Sequence, residues 1–112
     1  MKKVILDTSF ILSCVKQKID FFEKIEEEGL KLVIPIQTVN ELEGLGARTS
    51  LKILEKNKFQ IVNVSGKDAD TAIVKLAKEN PLAIIATLDK GLAKKIKNRK
   101  MIIRGKKKLE VV

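Results

Sequence analysis

Four carboxylates stand at or just after the ends of apolar segments in this 112-residue chain: Asp7, Glu41, Asp70 and Asp89. Like charges that converge in a partly desolvated site repel and raise one another's pKa, so a cation is expected among them. A hard divalent ion takes oxygen ligands and needs neither histidine nor cysteine. If the fold brings these side chains together, they predict a site for a hard divalent cation.

The composition excludes several other catalytic strategies. The chain has no histidine, which removes the commonest general base and the Ser-His and Cys-His nucleophile pairs. One cysteine, Cys14, excludes an internal disulfide and a cysteine-rich zinc site. Because its neighbours are apolar, we predict that Cys14 packs in the core. An enzyme of this composition must use carboxylates, lysines or a metal.

The elements that would position the acids follow an alternating pattern. Five short apolar runs predict strands, and segments with helical spacing lie between them. The predicted strands are residues 2–6, 30–35, 59–64, 82–87 and 100–104. This order predicts a three-layer α/β/α fold with a mainly parallel five-stranded sheet and right-handed crossovers.

Ligands of open α/β sheets bind beyond the carboxyl ends of the strands. Asp7 ends the first predicted strand and Asp89 follows the fourth. Glu41 and Asp70 fall in the first turns of the helices predicted after the second and third strands. All four acids therefore map to the edge of the sheet where such folds place their active sites.

Each acid also has a purely structural interpretation. Aspartate is a common helix N-cap and is favoured there by the helix dipole. The candidates for such caps are Asp7, Asp68, Asp70 and Asp89. For Glu41, the sequence "TVNE" predicts a capping box with Thr38 as the cap. These interpretations do not explain why the four acids map to one edge.

The net charge of +9 is concentrated near the carboxyl terminus. Residues 1–89 carry thirteen basic and thirteen acidic side chains, whereas residues 90–112 carry ten basic and one acidic. This imbalance predicts a polyanionic partner such as RNA, and the alternative is that the lysines only aid solubility. The predicted RNA-binding residues are Lys94, Lys95, Arg99, Arg104, Lys106, Lys107 and Lys108.

Other features bound the class of protein. The four phenylalanines are the only aromatic residues, and Phe10, Phe21 and Phe22 are predicted to lie in the core, so a base-stacking platform is not indicated. No apolar run has the roughly 18 to 20 residues that a membrane span needs, and "MKKVILD" meets an acid too early for a signal peptide. We expect a cytoplasmic protein without a membrane partner, built as a single domain over 1–112 with a basic segment at 90–108.

With these residues in view, the chain resembles the PIN-domain family of metal-dependent ribonucleases. Four local patterns in the family's order carry the resemblance: "VILDTSFIL", "PIQTVNELEGL", "DADTAIVKLA" and "IIATLDKGLAKKI". It implies a strand order of 3-2-1-4-5, which would place Asp7 and Asp89 close together. It also implies that Asp7, Glu41, Asp70 and Asp89 form the catalytic, metal-holding quartet, with Ser9 and Thr87 as auxiliary residues.

The activity that the resemblance implies is endonucleolytic hydrolysis of RNA phosphodiesters by a metal-activated water, with one or two Mg²⁺ or Mn²⁺ ions, leaving a 5′-phosphate and a 3′-hydroxyl. Many members have a further acid where this chain has Gly91, and some have one where it has Thr71, so an auxiliary ligand for a second metal ion is missing at these places. The short basic chain is more similar to small archaeal members related to rRNA-processing endonucleases than to VapC-like toxins. A homodimer, and an antitoxin or ribosome-assembly factor as partner, are expected from the same resemblance.

Two other classes are alternatives. A PIN-like module that binds RNA or a ribosome-assembly partner without cutting would keep the fold and the basic surface. An aspartate-phosphorylating enzyme, either a haloacid-dehalogenase-type phosphatase or a response-regulator receiver, would also place an aspartate after its first strand. The residues around Asp7 disfavour this second class, because "TS" follows where the phosphatase has another aspartate two residues on, and no adjacent acid pair lies nearby.

Overall fold

A computed structural model describes residues 2–112 of the chain, in which strands and helices alternate. The strands are β1 (Lys3–Leu6), β2 (Lys31–Pro35), β3 (Gln60–Val62), β4 (Ile84–Ala86), β5 (Lys100–Arg104) and β6 (Lys108–Val111). The helices are α1 (Thr8–Lys16), α2 (Phe21–Glu27), α3 (Ile36–Gly44), α4 (Arg48–Glu55), α5 (Ala69–Glu79) and α6 (Lys90–Lys94). Within residues 2–112, no helix is both long and apolar enough to cross a membrane.

The sheet has the order β3-β2-β1-β4-β5-β6. The first five strands are parallel, which confirms the predicted three-layer α/β fold and its 3-2-1-4-5 order. The prediction of five strands was incomplete, because β6 pairs antiparallel with β5 and adds a sixth. Its four residues alternate between exposed and partly buried, so the lysine and glutamate on its outer side conceal a strand in a segment that reads as a charged tail.

Helices cover both faces of the sheet because the central strands are apolar on both sides. Val4 and Leu6 of β1 face a core built with α1 to α4, whereas Ile5 faces a second core built with α5 and α6. This alternation within one strand follows from the two-residue period of the pleat. The chain adds β2 and β3 on one side of β1 and then β4 and β5 on the other, and this reversal places the helices on opposite faces of the sheet.

The first core contains the aromatic residues and the cysteine. Phe10, Phe21 and Phe22 are fully buried, as predicted. Phe10 and Phe21 pack edge to face, with ring centroids 6.5 Å apart. The prediction for Cys14 is also confirmed, because its side chain is fully buried and burial raises the pKa of its thiol to about 12. Cys14 is therefore a packing residue and not a nucleophile.

The carboxyl ends of the five parallel strands lie at one edge of the sheet. Helices α1, α3, α5 and α6 begin at or just beyond that edge. Met101 of β5 pairs with Ala86, the last residue of β4, so β5 continues for three more residues past it. At about 3.3 Å per residue, Arg104 and the β5–β6 turn project roughly 10 Å beyond the end of β4.

Candidate active site

Asp7 lies between the end of β1 and the start of α1, at the switch point between β1 and β4. Its backbone N–H donates to the carbonyl of Ala86 (2.9 Å), which ties it to the end of β4. Its side chain is only 7% exposed. The carboxylate does not cap α1, because its Oδ2 accepts hydrogen bonds from the hydroxyls of Ser9 (2.9 Å) and Thr87 (2.8 Å). The capping interpretation of this side chain is therefore wrong.

The surroundings of Asp7 disfavour its ionised form. Burial raises the pKa of Asp7 above its ordinary value, against the hydrogen bonds from Thr87 and Ser9, and the negative charge of Glu41 adds to the rise. A cation close to such a carboxyl group would favour its ionised form over its neutral form. Perturbed carboxyls at a cleft edge are characteristic of functional sites.

Thr87 joins Asp7 to Asp89. Its hydroxyl donates to Asp7 and accepts from the backbone N–H of Asp89 (3.0 Å). The hydroxyl of Ser9 lies 3.4 Å from that of Thr87 and accepts from the N–H of Leu88 (3.2 Å). Both predicted auxiliary residues thus fix the loop that carries Asp89 against the loop that carries Asp7.

The structural interpretation of Asp89 as a helix cap is confirmed. Asp89 is the N-cap of α6, and its Oδ1 accepts from the N–H groups of Gly91 (2.8 Å) and Leu92 (3.2 Å). The side chain is exposed at the carboxyl edge. The cap fixes one oxygen and thereby orients the other, so the structural role of Asp89 is compatible with a role as a ligand.

Glu41 bridges three helices from the second turn of α3, not the first turn that the sequence predicted. Its Oε1 accepts from the hydroxyl of Thr8 (2.7 Å) and its Oε2 from the backbone N–H of Ala69 (2.8 Å), the first residue of α5. The predicted capping box is wrong, because α3 begins at Ile36 and the hydroxyl of Thr38 donates to the carbonyl of Leu6 (3.2 Å). Glu41 therefore holds the starts of α1 and α5 together.

Asp70 lies in the first turn of α5. Its neighbour Asp68, not Asp70, is the N-cap, accepting from the N–H of Thr71 (2.8 Å), and this bond is the main reason that the pKa of Asp68 is lowered. The side chain of Asp70 does not cap the helix. Its Oδ2 pairs with the ammonium of Lys95 at 3.2 Å, and its buried Oδ1 has no hydrogen-bond partner within residues 2–112.

Gln37 is a further positioning residue, and the sequence analysis missed it. Its buried amide donates to the carbonyls of Val64 (2.6 Å) and Gly66 (2.9 Å), which fixes the loop leading into α5. Gly66 has a φ of +155°, and a Cβ there would lie 3.1 Å from the N atom of Ala72. A glutamine next to the apolar end of β2 was the available signal, since a buried amide needs hydrogen-bond partners.

The four acids of the predicted quartet all lie at the carboxyl edge of the sheet, and hydrogen bonds join some of the segments that carry them. Hydrogen bonds connect Asp7 to Asp89 through Thr87, and Glu41 to both the α1 and α5 starts. No three side chains of the types that bind metals are grouped to hold an ion by themselves among residues 2–112. Carboxylate oxygens nevertheless suit Mg²⁺, which keeps several waters and is commonly held by one or two carboxylates and a substrate phosphate. The Oδ1 of Asp70, which has no hydrogen-bond partner within residues 2–112, and the buried carboxyl group of Asp7, whose ionised form a cation would stabilise, are suitable ligands for such an ion.

The structure brings most of the predicted RNA-binding residues to the same edge. Arg104 and Lys106 to Lys108 lie on the projecting β5–β6 hairpin, and Lys94 and Lys95 end α6. Arg104 pairs with Glu110 across the hairpin, with Nε and Oε2 2.6 Å apart. Arg99 is not brought to this group, because it precedes β5 at the opposite edge of the sheet. Its contribution to RNA binding stays a prediction.

Comparisons with known proteins agree with this geometry. Residues 4–106 match a family model described as a PIN-like domain. The chain is 33% identical to Ribonuclease VapC4 of Methanocaldococcus jannaschii, over 99% of this chain and 97% of that protein. It is 35% identical to the rRNA-processing protein fcf1 of Schizosaccharomyces pombe, over 84% of this chain but only 53% of that protein.

A solved structure is also similar. The structure of the PIN domain endonuclease Utp24 superimposes with a TM-score of 0.86 and 30% identity, covering 97% of this chain and 90% of that one. A domain of a functionally unknown protein from Methanocaldococcus jannaschii superimposes with a TM-score of 0.54 at 19% identity, which supports the fold alone.

Proposed function

The chain belongs to the PIN-like domain family, and on that premise we propose that it is an endoribonuclease that depends on Mg²⁺ or Mn²⁺. The observation that carries the proposal is the position of Asp7, Glu41, Asp70 and Asp89 at the carboxyl edge of the sheet. Burial raises the pKa of Asp7 there, and the negative charge of Glu41 adds to the rise, so a cation at this edge would stabilise the ionised form of Asp7.

Asp7, Asp70 and Asp89 are the residues that would hold the ion. When bound, the ion would lower the pKa of a water and polarise a phosphoryl oxygen on the phosphorus that this water attacks. Ser9 and Thr87 orient the carboxylate of Asp7 through two hydrogen bonds to one oxygen. Glu41 holds the first turns of α1 and α5 together, so that Asp7 and Asp70 stay at a fixed separation.

The substrate that we propose is RNA, which would be hydrolysed to a 5′-phosphate and a 3′-hydroxyl. The basic hairpin and the end of α6 would bind its phosphates, giving an affinity that falls steeply with salt and carries little sequence information. The name of fcf1 supports rRNA processing, and that of Utp24 supports an endonuclease. The name of VapC4, which matches over nearly the whole of both chains, supports a toxin ribonuclease as the alternative.

A non-catalytic RNA-binding module is the second candidate function. It is favoured by one observation, the lack of three grouped metal-binding side chains within residues 2–112. Such a module would keep the hairpin and the basic surface. It would give no reason for the hydroxyls of Ser9 and Thr87 to orient a buried acid at the edge of the sheet.

Cleavage of a mixed pool of structured and single-stranded RNA tests the proposal. We would compare the purified protein with Mn²⁺, Mg²⁺ or chelator, alongside Asp7→Asn and the control Asp20→Asn. Asp20 is an exposed cap of α2, and asparagine caps equally well. Metal-dependent cutting that disappears only in Asp7→Asn would support the nuclease. Equal behaviour of all three proteins, with salt-sensitive RNA binding retained, would favour the non-catalytic module.

A further inference from the structure

A cavity of about 400 Å³ lies beside Asp70, on the side of α5 that faces α6. Its lining comprises Asp70, Thr71, Val74, Lys75, Lys78 and Lys95. Three of these six side chains are lysines and one is acidic, so the cavity is positively charged at neutral pH. Residues 1–89 carry no net charge, which makes this local excess a matter of placement and not of composition.

The placement follows from helix geometry. Thr71, Lys75 and Lys78 are spaced four and three residues apart, which puts them on one face of α5. Lys95 comes from the end of α6 and crosses to Asp70, where Nζ lies 3.2 Å from Oδ2. The ammonium of Lys75 also contacts the hydroxyl of Ser65 in the loop before α5. Lys75 and Lys78 of α5 and Lys95 at the end of α6 thus place three ammonium groups on one side of the proposed catalytic edge.

This cavity suits an anion better than a second divalent cation. One oxygen of Asp70 is already paired with Lys95, and no other carboxylate lines the cavity. A divalent ion would meet one acid and three ammonium groups, whereas a phosphate would meet the same three ammonium groups as donors and only one carboxylate, that of Asp70. The pair of Lys95 and Asp70 is open to water, with 59% and 42% of the side chains exposed, so little free energy holds it closed.

We infer that this cavity is a subsite for a phosphate of the RNA backbone next to the one that is cut, and that Lys95 supplies there the positive charge that a second divalent ion would otherwise provide. The inference rests on the proposed function, since it assigns a flanking phosphate to the same site. When RNA binds, the ammonium of Lys95 leaves Asp70 and pairs with the phosphate. The chain then holds one divalent ion and not two.

RNA affinity without metal tests the subsite. We would measure binding of a single-stranded oligonucleotide in chelator, over a range of salt, for Lys75→Gln/Lys78→Gln. The control is Lys52→Gln/Lys56→Gln, two exposed lysines at or next to the end of α4, on the opposite face of the sheet. The first variant should lose about 0.7 from the slope of log K against log salt, which is the contribution of the one phosphate that the subsite neutralises. Equal losses in both variants would overturn the subsite.

The number of Mn²⁺ ions bound tests the role of Lys95. Calorimetric titration without RNA should find one ion in the native chain. In Lys95→Gln it should find a second ion, or an affinity at least about tenfold tighter, as expected when a positive charge leaves the vicinity of Asp70. Lys52→Gln should titrate like the native chain. Two Mn²⁺ ions in the native chain, or an unchanged number and affinity of ions in Lys95→Gln, would overturn the inference that Lys95 takes the place of a second metal ion.

The outcomes separate this inference from the proposed function. A chain that binds RNA through Lys75 and Lys78 but cuts nothing with any metal would keep the phosphate subsite and refute the nuclease. A chain that cuts RNA in an Asp7-dependent way, with Lys75→Gln/Lys78→Gln behaving like the α4 control, would keep the nuclease and refute the subsite.

Discussion

The hydroxyl of Thr87 donates a 2.8 Å hydrogen bond to Oδ2 of Asp7, although the two residues are 80 positions apart in the chain. This contact crosses from the end of β4 to the end of β1, which are neighbours in the sheet. The same hydroxyl accepts from the N–H of Asp89. One side-chain oxygen therefore sets the relative position of the two acids that would hold an ion together.

Asp7→Asn should stabilise the metal-free fold at neutral pH. Burial raises the pKa of Asp7 in the folded chain, so its stabilising contribution is full below the unfolded pKa and is lost as the pH rises through the folded pKa. Asparagine removes this loss and its side-chain oxygen still accepts from Ser9 and Thr87. In chelator at pH 7, we expect Tm to rise by about 2 to 5 °C.

The pH dependence provides the check on that stability effect. At about pH 3.5, where a carboxyl near its ordinary pKa is largely protonated, the two proteins should unfold at nearly the same temperature. Asp20→Asn is the control, because Asp20 is exposed. A lower Tm for Asp7→Asn than for the native chain at pH 7 would contradict the account of a buried, destabilised charge.

Thr87→Val should impair catalysis more than RNA binding. Valine keeps the shape of this buried side chain but leaves the N–H of Asp89 without its acceptor and Asp7 with one hydroxyl donor. We expect kcat to fall about 10- to 100-fold, as for other residues that orient ligands, and the free energy of unfolding to fall by about 1 to 2 kcal/mol. Single-turnover cleavage and chemical denaturation would measure the two effects.

Thr87→Ser is the matched control for that experiment, because it restores the hydroxyl without the methyl group. It should recover most of the cleavage rate. RNA affinity in chelator should be the same for all three proteins, since Thr87 is buried and does not line the basic surface. A rate that stays low in Thr87→Ser would mean that packing, and not the hydrogen bond, is what Thr87 contributes.

Glu41 allows structural and catalytic contributions to be separated. In Glu41→Gln, the amide oxygen can accept from the N–H of Ala69 while the amide nitrogen donates to the hydroxyl of Thr8, so both bonds persist. Stability should then change by less than about 0.5 kcal/mol, and any large loss of cleavage would come from the missing charge. Glu41→Ala removes both bonds and should destabilise by about 1 to 3 kcal/mol.

The measurement for Glu41 pairs cleavage rates with urea denaturation of both variants. If Glu41→Gln cuts RNA at the native rate while Glu41→Ala is unstable and slow, Glu41 is a bridge between helices and its charge plays no part near the metal. A stable Glu41→Gln that does not cut would support its place in the predicted quartet.

The sequence predicted the five parallel strands well because buried parallel strands are apolar on both faces and cannot be concealed by surface charge, whereas their order in the sheet was implied by the family resemblance. The run around Val4 and Ile5 is of this kind. β6 was missed for the opposite reason: it is an edge strand whose lysine and glutamate point outward. The turn before it carries Gly105 and Lys107 with φ near +60°, and that glycine between two short alternating runs was the available signal of a hairpin.

The candidate site was predictable only in part. That Asp7 and Asp89 meet follows from the strand order. The partners of Glu41 do not, since its contacts to Thr8 and Ala69 span 33 and 28 positions and depend on how three helices pack. The capping pattern around Thr38 was misleading because local signals cannot reveal that its hydroxyl is needed by the carbonyl of Leu6, 32 positions away. Long-range polar contacts of this kind leave no periodicity in the sequence.

The last prediction concerns the β5–β6 hairpin, where Glu110 partly neutralises the proposed RNA-binding surface. Its Oε2 lies 2.6 Å from Nε of Arg104, and both side chains are largely open to water. Glu110→Gln should free Arg104 for a phosphate, so that RNA affinity in chelator at low salt rises by about 2- to 5-fold and the salt slope steepens by about 0.7. Stability should fall by less than about 1 kcal/mol, as for other exposed ion pairs.

The control for the hairpin is Glu55→Gln, which removes one negative charge from the exposed end of α4 and therefore alters only the net charge. Arg104→Gln supplies the opposite change and should weaken binding while flattening the salt slope. If Glu110→Gln and Glu55→Gln bind RNA alike, the effect is one of overall charge, and the projecting hairpin makes no direct contact with the backbone. A gain confined to Glu110→Gln and reversed in Glu110→Gln/Arg104→Gln would place the RNA along the hairpin, beside the edge that carries Asp89.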